Sequence, residues 1–462
     1  MIQKIKNHIF HHPFQSFFWM SFCFTAGAAL FIQIVLLPHL IPRLHAGHGL
    51  LVGGDWVGFH EMAVSQAQAI SQHGWGRWKL RPAGHAQVGV ASVFYTILVA
   101  EPWVLIPLNA CLHAVATVLL ARMLWMITGH RSISIVAALP FLLYPTSAAW
   151  YSQLHKEGYF IAGYFLCLFG WMRIAQLRGA HLPRGFLLAS ILVILAGTLT
   201  VGLVRDFGVK LVAVMGFFFA VILTIRLLVT HTKTLNWNTA LTILLFLAIP
   251  SATKEYSSNH YFDAAQITSQ ITLQPSAGLH DVQLAPLSSI WTNSLGLPGQ
   301  IDAQFAAISQ IRRDYIGSGS GRGATAVDSD VRFADVTDFL EYLPRAIQIG
   351  LLAPFPQDWV VDGSLPSSAA MRKVTGAEML IAYVAYCFIP YILWRQRRNL
   401  SMWMFFQINI LFVLLYTYTV PNVGTLYRMR YGFFMAVVAL GVAGAVFAVQ
   451  DFLLAKRADK FK

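Results

Sequence analysis

Long apolar runs separated by short polar links set the pattern of this chain. The first run, Phe17 to Leu37, is long enough to cross a bilayer, for which about 20 apolar residues suffice, and a polar start carrying Lys4 and Lys6 precedes it. A cleaved leader would have a shorter apolar core and a small-residue cleavage site. The run is therefore read as a first span. Further runs fall near 104–127, 133–150, 158–175, 186–204, 208–229, 237–253, 376–394, 402–420 and 432–454. The pattern predicts an all-α polytopic membrane protein with about ten transmembrane helices.

Two stretches interrupt this rhythm. In the first loop, 38–103, Met62, Ala63 and Ile70 share one helical face, while His60, Glu61, Gln68 and Gln72 lie elsewhere. That spacing predicts a short amphipathic helix lying on the membrane. Val88 to Ala100 is read as a second surface or half-buried helix, because counting it as a span would put the next basic link on the wrong side. The long loop from Lys254 to Thr375 holds a helical stretch from Asp302 to Tyr315 and a Gly-Ser run, 317–323. The run lacks the Gly-Lys-Ser/Thr ending of a nucleotide loop and reads as a plain mobile linker. Asp338 to Arg345 then leads into Ala346–Phe355, which at about ten residues is too short to span and fits an interfacial or re-entrant segment. Three regions follow: a transmembrane module over 1–255, a large loop over 256–375, and C-terminal transmembrane helices over 376–462.

Composition agrees with the class. Hydrophobic residues make up 56% of the chain and charged residues 11%, against about a quarter charged in soluble domains. The net charge of +13 excludes little by itself, but its basic residues cluster in the links at 128–131, 173–184, 226–233, 395–398 and 456–462. All of these fall on one side if the spans alternate, which is the positive-inside distribution. Nucleic acid is accordingly not expected as a partner. The distribution places both termini on the inner side and the loops at 38–103, 151–157, 205–207, 254–375 and 421–431 on the outer face, expected to be the cytoplasmic and periplasmic sides of a bacterial inner membrane. Cys23, Cys111, Cys167 and Cys387 all lie in apolar runs, so they read as packing residues rather than disulfides or metal thiolates.

The candidate chemistry is concentrated in the outer loops. Asp55 follows Gly53-Gly54 and precedes Trp56, so its carboxylate is either a helix N-cap or an acid held at the water boundary. No Glu stands at the capping-box position, which is Gly58. His60 and Glu61 are candidate partners of Asp55 around a divalent cation, Mg or Mn. Within one helix Asp55 and Glu61 would stand about 240° apart, so convergence requires Asp55 to precede the helix. Lys156-Glu157 reads either as a surface ion pair at a span end or as a phosphate partner beside a second acid. Arg77, Lys79, Arg81 and His85 form a basic string on the outer side, where an anionic lipid phosphate or headgroup gives such cations a reason. Arg205-Asp206 reads as a self-neutralising pair. Arg428 and Arg430, between Tyr427 and Tyr431, are either an interfacial belt or further phosphate ligands.

A first span, an outer loop with an early Asp and an interfacial helix, then Tyr144-Pro145 and Lys156-Glu157 at the next outer turn together resemble the GT-C superfamily of membrane glycosyltransferases. That superfamily includes protein O-mannosyltransferases, lipid A aminoarabinose transferases and oligosaccharyltransferase catalytic subunits. The likeness covers about residues 1–255; the chain has neither an adjacent acid pair nor an Asp-x-Asp at Asp55. The resemblance implies a GT-C-like helical bundle, catalytic acids at Asp55 and Glu157, and a sugar donor carried on a polyprenyl phosphate. The acceptor would be a cell-surface glycan, a lipid or a protein. Two other readings remain open. An O-antigen or exopolysaccharide polymerase also has a large outer loop and outer arginines. A lipid-linked oligosaccharide transporter would show mid-span charges and an internal repeat, neither of which the spans display.

Overall fold

The computed structural model describes residues 12–176, 184–229, 291–317, 325–361 and 366–459, and among them the chain is helical without strands. Among the described residues seven helices are long and apolar enough to cross a membrane: Pro13–Leu40, Pro102–Thr128, Glu157–Ala175, Gly185–Val204, Ala369–Arg395, Leu400–Thr419 and Tyr431–Arg457. An eighth span is present if Arg131–Leu143 and Pro145–Tyr151 count as one, bent by 64°. The bend has a cause in sequence: Pro145 has no amide hydrogen for a helix continuing from Leu143, and it holds Tyr144 extended. The expected run at 208–229 is helical over Asp206–Val229, with a shorter apolar part, Phe207–Ile222. The expected span 237–253 and most of the Gly-Ser run lie outside the described residues.

Two compact units divide the chain. The first comprises Met1–Gln270, Val384–Ile408 and Val438–Lys462; the second comprises Ile271–Tyr383 and Asn409–Val437. In the first unit, α1 (Pro13–Leu30) continues as a π-helix over Phe31–Leu40, with Pro38 inside it. The first loop supplies α2 (Trp56–His73) and α3 (Ala86–Ile97). After these come α4 (Ile106–Thr128), α5 (Arg131–Leu143), α6 (Pro145–Tyr151), α7 (Glu157–Ala175), α8 (Arg184–Val204) and α9 (Asp206–Val229). At twelve residues α3 is too short to cross the hydrocarbon, in keeping with its reading as a non-spanning helix.

Small residues bring α7 and α8 close. A Cβ at Gly163 would stand 2.8 Å from the Gly197 carbonyl, and one at Gly197 would stand 2.6 Å from the Gly163 carbonyl. Such backbone approach is how apolar helices gain packing energy where lipid supplies no hydrophobic drive. Buried His113 is satisfied within the bundle. His113 of α4 meets the Thr25 hydroxyl at 2.8 Å, the Ser147 hydroxyl at 3.0 Å and the Phe141 carbonyl at 3.2 Å, and its ring stacks on Tyr151 at 4.0 Å. At the far end of α4, Asn399 donates to the carbonyls of Ile127 and Met126 at 3.0 and 3.4 Å, and Gln176 donates to Met126 at 3.3 Å. These donors satisfy carbonyls that the last helical turn leaves open.

The second unit contains α10 (Gly299–Gly317) and α11 (Val336–Leu352). Asp335 and Asp338 form a reciprocal capping box at the start of α11. The expected separate segment at Ala346–Phe355 is instead mostly the second half of this helix, which runs through Pro344 and ends before Ala353. Phe333, Phe339, Tyr342 and Tyr418 form an aromatic cluster with ring centroids 4.4 to 5.8 Å apart. Buried Arg312 donates to the carbonyls of Asp328 at 2.6 Å and of Tyr418 at 3.3 Å.

Candidate functional site

The first loop folds around one apolar cluster. Trp56, Phe59, Ala63 and Ala67 of α2 meet Val88, Ala91 and Tyr95 of α3, and Leu154 from the next loop joins them. His60 belongs to this buried face, although the helical spacing places it outside the apolar stripe. Burial is possible because its Nδ1 lies 2.9 Å from the Tyr95 hydroxyl, which satisfies the ring inside the cluster. The turn before α2 needs its glycines. Gly53 has φ +86°, and a Cβ at Gly54 would collide with the Trp56 indole, whose Nε1 donates to the Leu51 carbonyl at 2.5 Å.

Asp55 sits at the mouth of this turn. It occupies the residue before α2, but its φ of −61° and ψ of −21° are helical and its side chain makes no capping bond. Its exposed carboxylate is therefore not engaged as a cap. His85 stands nearby, its ring centroid 4.8 Å from that of Phe59, and the Lys156 ammonium lies 5.8 Å from the same Phe59 ring. The charges of Lys156, Asp55 and Arg81 all act on the His85 ring, and burial lowers its pKa below the usual value more than any of them. The fold thus gathers Asp55, Arg81, His85 and Lys156 from three places in the sequence.

The second loop is fixed to the first by hydrogen bonds. Gln153 accepts from the Leu51 amide at 3.0 Å, Asn109 donates to the carbonyls of Tyr151 and Gln153 at 3.1 Å each, and Gln33 of the π-helical stretch donates to the Ser152 carbonyl. Next to this strap, Glu157 opens α7 but turns inward and is only 3% exposed. Its carboxylate takes a hydrogen bond from Arg205 at 2.6 Å and contacts the His155 ring. A small cleft lined by Asn109, Tyr151, Gln153, His155 and Glu157 lies here. Two expectations are corrected. Glu157 is buried rather than in a surface ion pair with Lys156, and Arg205 pairs with Glu157. In a buried place each charge needs a partner within hydrogen-bond reach, and Glu157 and Arg205 supply one another.

The remaining expected site residues lie elsewhere or in other roles. Arg77 and Lys79 are exposed on the strap after α2, where the Lys79 carbonyl accepts from Gln66 at 2.8 Å. Glu61 is exposed while His60 is buried against Tyr95, so Asp55, His60 and Glu61 do not converge. Among the described residues no group of three or more His, Cys, Asp or Glu side chains could hold a metal ion. The expected Mg or Mn set is therefore not formed by these three residues. In the second unit, Arg428 is half-buried in the last turn of the helix Val423–Met429. Arg430 is fully buried and donates to the carbonyls of Ile349 at 2.7 Å and Gly350 at 2.5 Å, and to Ala353. It closes the C-terminal end of α11, where the helix dipole favours a cation, and it is not presented to a lipid phosphate. Asp328 is engaged within the same unit: Arg345 donates to it at 2.9 and 3.0 Å, and Tyr342 donates to it at 2.9 Å.

Sequence reasoning passed over several groups. His155 carries a signal that was available, since an ionisable residue at or inside a span end usually has a partner. The pairing of His48 with Glu101, at 3.1 Å to both carboxylate oxygens, carries none, because 53 residues separate them. The His48 ring also lies 4.9 Å from that of His60, tilted by 43°. The pKa of His60 is lowered from 6.5, first by burial and then by the charge of His48, against the opposing pull of Glu101 and Glu61. With the folded value below the unfolded one, the unfolded chain binds more protons in that interval, so stability falls as pH drops below about 6.5. Thermal melts of the purified protein are expected to show lower stability at pH 5 than at pH 7.5. His60→Asn with His85→Asn should lose less on acidification, and an unchanged loss would remove both rings from the effect.

The fold and these contacts define a multi-pass, all-helical membrane protein with a mixed acid and base cluster on the first long loop. No protein family model and no curated protein matches the chain by sequence. Among solved structures the chain is similar to the archaeal oligosaccharyltransferase AglB from Archaeoglobus fulgidus, determined in complex with an inhibitory peptide and a dolichol-phosphate. The similarity has a TM-score of 0.46 and 12% identity over 97% of this chain, which spans about half (52%) of the length of that protein.

Proposed function

We propose that this protein is a GT-C-type glycosyltransferase that moves a sugar from a polyprenyl-phosphate-linked donor to a glycan, lipid or protein acceptor. The site would face the periplasm from a bacterial inner membrane. The observation that supports the reading best is the exposed Asp55 carboxylate, not engaged as a helix cap, beside Arg81, His85 and Lys156. Asp55 takes the proton of the acceptor hydroxyl as its oxygen bonds to the anomeric carbon of the donor sugar. The bond from that carbon to the lipid phosphate breaks, and its electrons leave on the phosphate. Arg81 and Lys156 neutralise the charge that grows there, a task for which preoriented cations are well suited. Glu157, held by Arg205 and His155, positions the loop that carries Lys156 rather than acting as a second acid.

The lipid pool tests this directly. A strain lacking the protein is expected to accumulate one lipid-linked sugar that returns to normal when the gene is restored. Unchanged pools of all polyprenyl-linked sugars would count against a lipid-linked donor.

A further inference from the structure

At the other end of the same helices stands a second basic cluster that the first-loop site does not use. Arg122 lies sixteen residues into α4 and Arg173 sixteen residues into α7, which is about 24 Å along each axis at 1.5 Å per residue. The two helices pack together, and the guanidinium groups are near enough for their charges to act on one another. Arg122 stands over Phe14 at 5.5 Å and Arg173 over Phe186 at 4.2 Å. The row continues through Trp125, 5.5 Å from Phe14, to Arg131, which stands 5.0 Å over the Trp125 ring.

Among the described residues no carboxylate pairs with any of these three arginines. The positive-inside distribution accounts for Arg131 and Arg173, which stand in basic links, but not for Arg122, which lies six residues before the end of apolar α4. Like charges held together disfavour one another unless an anion lies within reach. Arginine forks match phosphate oxygens in pairs, and the aromatic rings between them fix the guanidinium planes. The cluster lies on the surface of spanning helices, about one hydrocarbon thickness from the first-loop site.

We propose that Arg122, Arg173 and Arg131 bind the phosphate of an anionic phospholipid at the membrane surface opposite the first-loop site. Basic recesses between spanning helices are where such headgroups are held. Native mass spectrometry of the purified full chain with phosphatidylglycerol or phosphatidylcholine of identical acyl chains tests this. The parent is expected to retain phosphatidylglycerol with about tenfold preference or more, because its phosphate charge is uncompensated whereas the choline of phosphatidylcholine cancels it, and a difference of about 1.4 kcal/mol is tenfold. Arg122→Gln with Arg173→Gln should abolish the preference, while excess inorganic phosphate should leave the lipid bound. Equal retention of the two lipids by the parent, or an undiminished preference in the double variant, would overturn the proposal. Displacement by inorganic phosphate would also overturn it and assign the site to a soluble phosphate. If the double variant does not fold, the lipid comparison on the parent and on Arg131→Gln, at the exposed start of α5, decides the matter.

Discussion

Asp55→Asn is expected to leave the protein at its normal level in the membrane and to lower sugar transfer by about 10²–10⁴-fold, the range for loss of a general base. The substitution keeps the size and most of the hydrogen-bonding capacity of the side chain while removing its charge and basicity. Asn also caps helices about as well as Asp, and here the side chain makes no capping bond in any case. An exposed position of this kind changes stability by about 0.5 kcal/mol at most. Abundance and activity therefore separate cleanly. Transfer at the parent rate by a normally inserted Asp55→Asn protein would remove the first loop as the active site.

Arg205→Met is expected to have the opposite signature, a loss of folded protein. Arg205 and Glu157 are 5% and 3% exposed and meet at 2.6 Å. Removing one partner of a buried pair costs about 3–5 kcal/mol, because the other charge is left without compensation. The guanidinium also stands 5.2 Å from the Phe160 ring and 5.4 Å from the Phe207 ring, contacts that Met replaces only as bulk. Arg205→Met with Glu157→Gln removes both charges and should restore most of the abundance, read by fluorescence-detected size exclusion. Activity in the restored protein identifies the role of Glu157. A positioning carboxylate predicts substantial transfer with altered affinity for the donor. A restored, well-inserted protein as inactive as Asp55→Asn would make Glu157 a second catalytic acid.

The spans were legible because a bilayer imposes length and apolarity on every crossing element. The run at 133–150 was read as one plain span, and the 64° bend at Pro145 within it is a finding of the fold. The first-loop helix was legible from Met62, Ala63 and Ile70, but the burial of His60 was not. A helical wheel records polarity, and it cannot know that Tyr95, 35 residues away, offers a hydroxyl to the imidazole. Arg205 shows the same limit. Sequence adjacency favoured Asp206 as its partner, whereas the geometry of two neighbouring helices delivers Glu157. Arg430 stands in a sequence context of tyrosines and arginines that suits an interface, and only the end of α11 reveals that it closes a helix. Each of these differences arises from a contact between residues far apart in the chain, which local pattern does not encode.

The measurement that bears most directly on the central claim is transfer by the purified protein in proteoliposomes supplied with a defined polyprenyl-phosphate sugar and candidate acceptors. Time courses would follow both labelled sugar on the acceptor and the freed polyprenyl phosphate. The parent is expected to release one polyprenyl phosphate for each sugar transferred, and Asp55→Asn to release almost none. Acceptor glycosylation with the lipid-linked donor left intact, or equal turnover by parent and variant, would contradict a lipid-linked transfer at Asp55.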